Sequence, residues 1–77
     1  MIKVTVEFKG YLKQYTGHRE PVEVELPEGA KVENALSSFK IPPNLIKLTS
    51  ISETRVGIDH LLNDGDVISI HPVVLGG

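Results

Sequence analysis

Hydrophobic and polar positions alternate without a break at the start of the chain. Ile2, Val4, Val6 and Phe8 fall on one side, Lys3, Thr5 and Glu7 on the other. A period of two built largely from β-branched residues predicts a half-buried strand over residues 2 to 8. Residues 22 to 26 repeat the pattern, with Val22, Val24 and Leu26 inward and Glu23 and Glu25 outward. Gly10, Gly17 and Pro21 break the segment between them. That segment also carries Tyr11, Leu12 and Tyr15, so it is expected to fold back over the core. The two strands predict a long-looped antiparallel hairpin with one face in need of cover.

After Pro27-Glu28-Gly29 the period changes. Val32, Ala35, Leu36 and Phe39 lie at i, i+3, i+4 and i+7, which predicts one apolar helix face ended by Pro42-Pro43. A helix of about two to three turns is stable only when packed, so this face is expected to lie on the hairpin. Lys31 stands where an N-terminal cap is expected and offers no side-chain acceptor. Between residues 44 and 62 the apolar positions are irregular. They predict no more than one or two short strands around Leu48 to Arg55 and a turn near Gly57. Asn63-Asp64-Gly65-Asp66 is a strong turn signal, since Gly65 accepts positive φ and the Asx side chains can bond nearby amides. Val67, Ile68 and Ile70 predict a final strand, apolar on both sides as a central strand would be. The summed order is β-β-α-β-(β)-β, an α+β domain over residues 1–77 with four or five strands wrapped around one short helix.

Composition narrows the chemistry. With 8 basic and 10 acidic residues the net charge is -2, and the basic residues are scattered, which argues against nucleic-acid binding. The chain has no cysteine, which excludes disulfides, thiolate metal sites and a cysteine nucleophile. No apolar run approaches the ~18 residues that span a bilayer, so no membrane role is expected. Met1-Ile2-Lys3-Val4 lacks the layout of a secretory signal, and a cytoplasmic location is the expectation. His18, His60 and His71 have no metal-ligand spacing, and Ser37, Ser38, Ser50, Ser52 and Ser69 sit in no nucleophile motif. Asp64 and Asp66 around Gly65 read as a turn rather than a cation site. Tyr11 and Tyr15, with no basic groove beside them, read as loop anchors. The expectation is a chain that is not itself an enzyme and binds no cofactor or metal of its own.

The sequence ends His71-Pro72-Val73-Val74-Leu75-Gly76-Gly77. Terminal glycines bury no side chain and cap no helix, so a flexible tail is expected from about residue 72. Such a stalk can carry the Gly77 carboxylate into a narrow site on another protein, with Gly76 allowing close backbone approach. Val73, Val74 and Leu75 either finish the last strand or, with Pro72 interrupting the sheet ladder, form a partly exposed docking stretch. The docking reading of Pro72, Val73, Val74 and Leu75 is the one carried forward.

Four blocks resemble the ubiquitin-like β-grasp family, and within it the MoaD and ThiS sulfur carriers. Val6-Glu7-Phe8 through Leu12 to Gly17 is similar to the opening of molybdopterin synthase small subunits. Leu26-Pro27-Glu28-Gly29-Ala30-Lys31-Val32 with Leu36 resembles their "LPEGATV…L" approach to the helix. Leu62-Asn63-Asp64-Gly65-Asp66-Val67 is close to the "LxDGDEV" turn, and Pro72 with Gly76-Gly77 matches the tail. Lys31 replaces the usual Thr, Val67 follows Asp66 directly, and Leu75 stands where Ala or Ser commonly precedes the glycines. The resemblance implies a mixed β-grasp sheet. It also implies that an E1-like adenylating enzyme, using ATP and magnesium, joins the Gly77 carboxylate to AMP before sulfur displaces the AMP. The thiocarboxylate would then serve a larger synthase subunit or another sulfur acceptor, most simply in molybdopterin formation. The alternatives are a thiamin-thiazole sulfur carrier, a modifier joined to target-protein lysines, and a binding module like the TGS domain that is never activated.

Overall fold

The structure, a computed structural model, describes residues 1–39 and 41–73. Five strands form one mixed sheet in the order β2-β1-β5-β3-β4. In chain order these are β1 (Ile2–Phe8), α1 (Leu12–Thr16), β2 (Val22–Leu26), α2 (Val32–Ser37), a 3-10 turn (Pro43–Leu45), β3 (Ile46–Ile51), β4 (Thr54–Val56) and β5 (Val67–Pro72). β1 pairs antiparallel with β2 and parallel with β5, while β3 pairs antiparallel with both β4 and β5.

The alternation in β1 becomes its burial pattern: Ile2, Val4, Val6 and Phe8 are all buried. They meet Ile68 and Ile70 of β5, Val32 and Ala35 of α2, and Leu12, Leu26, Ala30, Ile41 and Leu62 in one core. β2 is an edge strand, and Val22 and Val24 are only half-buried. Its exposed Glu23 and Glu25 put like charges along the rim, which discourages another strand from adding there.

β5 is central in the sheet, but it is not apolar on both sides. Ile68 and Ile70 are fully buried, whereas Val67 is 45% exposed and Ser69 and His71 are half-buried. One face of the sheet carries the core and the other is open, so even its central strand alternates. The predicted loop between β1 and β2 holds a helix, α1, five residues long. Its Leu12 is fully buried while Tyr11 and Tyr15 lie at the surface. A single apolar anchor gives no helical period to read.

α2 forms where the i, i+3 spacing placed it, with Val32 and Ala35 fully buried. It ends earlier than the position of Phe39 implied, because Ser38 and Phe39 donate to Ala35 and Leu36 in tight turns. The missing cap at Lys31 is made good from two directions. Asn34 Oδ1 accepts the Lys31 N–H at 2.7 Å. The carbonyls of His60 and Ile58 accept the N–H groups of Val32 and Glu33 at 3.0 and 2.9 Å. A distant loop thus satisfies donors that a Ser or Thr would ordinarily serve.

The turn at Asn63–Asp66 fastens the start of β1 beside β5. Lys3 N–H donates to Asp64 Oδ1 at 2.8 Å and Asn63 N–H to Asp66 Oδ2 at 2.8 Å. Gly65, at φ +89°, donates to the Lys3 carbonyl, and Thr5 N–H donates to the Asp66 carbonyl. Both aspartates are used as turn acceptors.

The β3–β4 hairpin closes over Ser52 and Glu53, both at positive φ (51° and 65°). Consecutive residues in this region fit the tight turn that suits strand twist, a position that Asn-Gly occupies at least cost. Replacing Ser52-Glu53 by Asn-Gly is therefore expected to raise stability by about 1–2 kcal/mol. Urea unfolding with an unchanged slope would check it.

Candidate functional site at the end of the central strand

Of the residues expected at the working end, Pro72 and Val73 are described; Val74, Leu75, Gly76 and Gly77 lie outside the described residues. Pro72 does not interrupt the ladder. It belongs to β5, opposite Ile46, and Val73 N–H continues the pairing by donating to the Leu45 carbonyl at 2.9 Å. Strand geometry explains why. The Ile70 carbonyl faces β1, where it accepts the Lys9 N–H at 3.0 Å. Pro72, two residues on, faces the same side. There β1 has already ended at Phe8, so the N–H that proline lacks had no strand partner to lose. On the other side, a register shift between Ile46 and Leu48 marks a bulge at Lys47.

The corner after β1 packs against this strand end. Gly10 has φ +55°, and a Cβ placed on it would lie 2.9 Å from Pro72 Cγ. Glycine is required there twice over, for its dihedral and for the close approach. The next residue, Tyr11, donates its hydroxyl to the Val73 carbonyl at 2.8 Å across 62 positions of sequence. Val73 is therefore held through both its backbone groups, its N–H by Leu45 at the end of the 3-10 turn and its C=O by the β1–α1 corner. Sequence reasoning marked Tyr11 only as an anchor and Gly10 only as a breaker. No local signal connects either to Pro72 and Val73.

Among the described residues, no three of His, Cys, Asp and Glu converge in a way that could hold a metal ion. His18 stacks on Phe8 and meets Phe39 edge-on, with centroids 6.0 and 5.7 Å away. His71 Nε2 lies 3.4 Å from Ser50 Oγ on the neighbouring strand, at the long limit of a hydrogen bond. Lys9 pairs with Glu7 on β1, and both are accessible enough for solvent to screen the pair. A groove of about 790 Å³ between α2 and the β3–β4 hairpin is lined mainly by apolar side chains, including Leu36, Ile41, Leu48 and Val56. Such a lining offers contact surface rather than acid–base chemistry. Among the described residues no helix is long and apolar enough to cross a membrane.

No protein-family model matches the chain, and no curated protein matches it in sequence. Solved structures do. A protein from Pyrococcus furiosus described as molybdopterin converting factor, subunit 1, aligns with TM-score 0.80 and 26% identity, over 96% of this chain and 100% of its own. Small archaeal modifier protein 1 of Haloferax volcanii aligns with TM-score 0.77 and 14% identity, over 96% of this chain and 100% of its own. Urm1 from Trypanosoma brucei aligns with TM-score 0.72 and 18% identity, over 97% of this chain and 95% of its own. The last two likenesses, both under 25% identical, speak for the fold alone. The chain has the ubiquitin-like β-grasp fold, and the MoaD-like resemblance of its sequence is matched by its similarity to the converting-factor subunit.

Proposed function

We propose that the chain is a carrier whose Gly77 carboxylate is activated by an E1-like adenylating enzyme and converted to a thiocarboxylate for sulfur transfer. The observation that carries the reading is the run of chain at the end of β5. The central strand and its neighbours hold the backbone as far as Val73, directly ahead of Val74-Leu75-Gly76-Gly77. Similarity to the converting-factor subunit adds support. A carboxylate is a poor electrophile, so it needs a leaving group before sulfur can attack. Its oxygen attacks the α-phosphorus of magnesium-bound ATP and pyrophosphate leaves. A hydrosulfide-level nucleophile then attacks the acyl carbon, a C–S bond forms, and the C–O bond to AMP breaks. The acids, bases and metal for these steps belong to the partners; this chain supplies the carboxyl group and holds it in reach.

Molybdopterin formation is the favoured destination of the sulfur, through a larger synthase subunit. A second reading, attachment of Gly77 to lysines of other proteins, is favoured by the likeness to a small archaeal modifier protein. Both begin with the same adenylate. Activation is tested by ATP–pyrophosphate exchange with an E1-like enzyme from the same source. Exchange dependent on the chain is expected; its absence with the cognate enzyme would leave a binding module that shares the fold. Gly-Gly remnants on lysines of cellular proteins would favour the modifier reading.

A further inference from the structure

We propose that Tyr11 is a positioning residue for the C-terminal segment, fixing the peptide plane from which the chain continues beyond Val73. The inference rests on the carrier reading above and names a part of the chain that this reading does not use. Val73 is the last described residue, and both of its backbone polar groups are engaged. Its N–H donates to Leu45 at 2.9 Å, and its C=O accepts from the Tyr11 hydroxyl at 2.8 Å. That carbonyl lies in the rigid peptide plane joining residue 73 to residue 74. Holding it holds the plane, and so sets the direction in which the chain continues. Gly10 seats the same corner against Pro72, with no room for a side chain between them.

This arrangement shortens the run of chain between the last held residue and the Gly77 carboxylate. A tail beginning at residue 72 would have six mobile residues and a reach of about 20 Å. Held at Val73, the four residues beyond it reach at most about 14 Å. The carboxylate then explores a smaller volume around a fixed origin, which raises its effective concentration in a partner's channel. Tyr11 is 36% exposed, so water can replace its hydroxyl bond at little cost to the fold. The residue can therefore govern the tail without governing stability.

The experiment compares the full chain with Tyr11→Phe, which keeps the ring and removes only the donor. Amide hydrogen exchange is followed at Val73, and ATP–pyrophosphate exchange with the E1-like enzyme gives KM and kcat for the chain. For Tyr11→Phe we expect faster exchange at Val73, KM raised about 3- to 10-fold and kcat within about 2-fold. A third arm measures binding to the enzyme of chains lacking residues 74 to 77. There Tyr11→Phe should change nothing, since the segment whose heading it sets is gone. Unchanged KM and unchanged Val73 exchange would overturn the role of Tyr11. Equal weakening in the truncated chains would overturn it too, by making Tyr11 a direct contact. A wild-type chain that supports no pyrophosphate exchange would instead bring down the carrier reading, and the positioning role with it.

Discussion

Deleting Gly77, or adding one residue beyond it, is expected to lower activation by an E1-like enzyme at least about 100-fold without unfolding the chain. An extra residue displaces the carboxylate by about 3.5 Å, and a misplacement of about 1 Å can already cost about 100-fold in a positioned reaction. The fold should not notice. The core is complete with Ile70, and the last strand-end bonds described are those of Pro72 and Val73. Thermal unfolding of the full-length and altered chains is expected to agree within about 2 °C, because neither change alters a core residue among those described. If the altered chains were activated normally, the terminal carboxylate would not be the working group.

Phe8→Ala is expected to destabilise the protein by about 3–5 kcal/mol, the largest single effect in the core. Phe8 is 2% exposed and sits at the inner end of β1, just before the Gly10–Tyr11 corner. Phe39 meets it edge-on with centroids 4.9 Å apart, and His18 stacks on it from the other loop. Truncation removes the burial, opens a cavity and takes from each of the two rings one of its two aromatic contacts. For a chain of 77 residues, total stability is on the order of 5–10 kcal/mol, so the variant should lose a large share of it. Urea denaturation of the two proteins measures the difference. A loss below about 1 kcal/mol would mean that the β1–α1 corner is not supported from the core in the way described.

The contrast between these two sites parallels what could be read from sequence. β1 was legible because strict alternation over seven residues has one interpretation, and the same pattern in Val22–Leu26 marked its antiparallel partner β2. The helix over Val32–Ser37 was legible from spacing alone, although the carbonyls of Ile58 and His60 that cap it were not. β3 and β4 were obscured by physical irregularities. The bulge near Lys47 shifts the alternation, adjacent Thr49 and Ser50 are both buried, and the hairpin turn uses Ser52-Glu53 in place of a recognisable Asn-Gly. Pro72 misled for a related reason. A proline stops a ladder only where its N–H would have had a partner, and that depends on which neighbouring strand has already ended.

At the candidate site the sequence showed the tail and not its mooring. Gly76-Gly77 and the family blocks pointed to the terminal carboxylate, because that signal is contiguous. Tyr11 and Val73 meet only after β1 and β5 pair in parallel, a long-range contact with no local signature.

The central claim is that the Gly77 carboxylate receives sulfur. The most direct test is the intact mass of the chain after incubation with magnesium, ATP, the E1-like enzyme of its source and a sulfur donor. The expected result is a mass change equal to one oxygen replaced by one sulfur, located on Gly77 and missing from the chain that ends at Gly76. A chain whose mass stays unchanged while that enzyme thiocarboxylates its own known carrier in the same mixture would contradict the account.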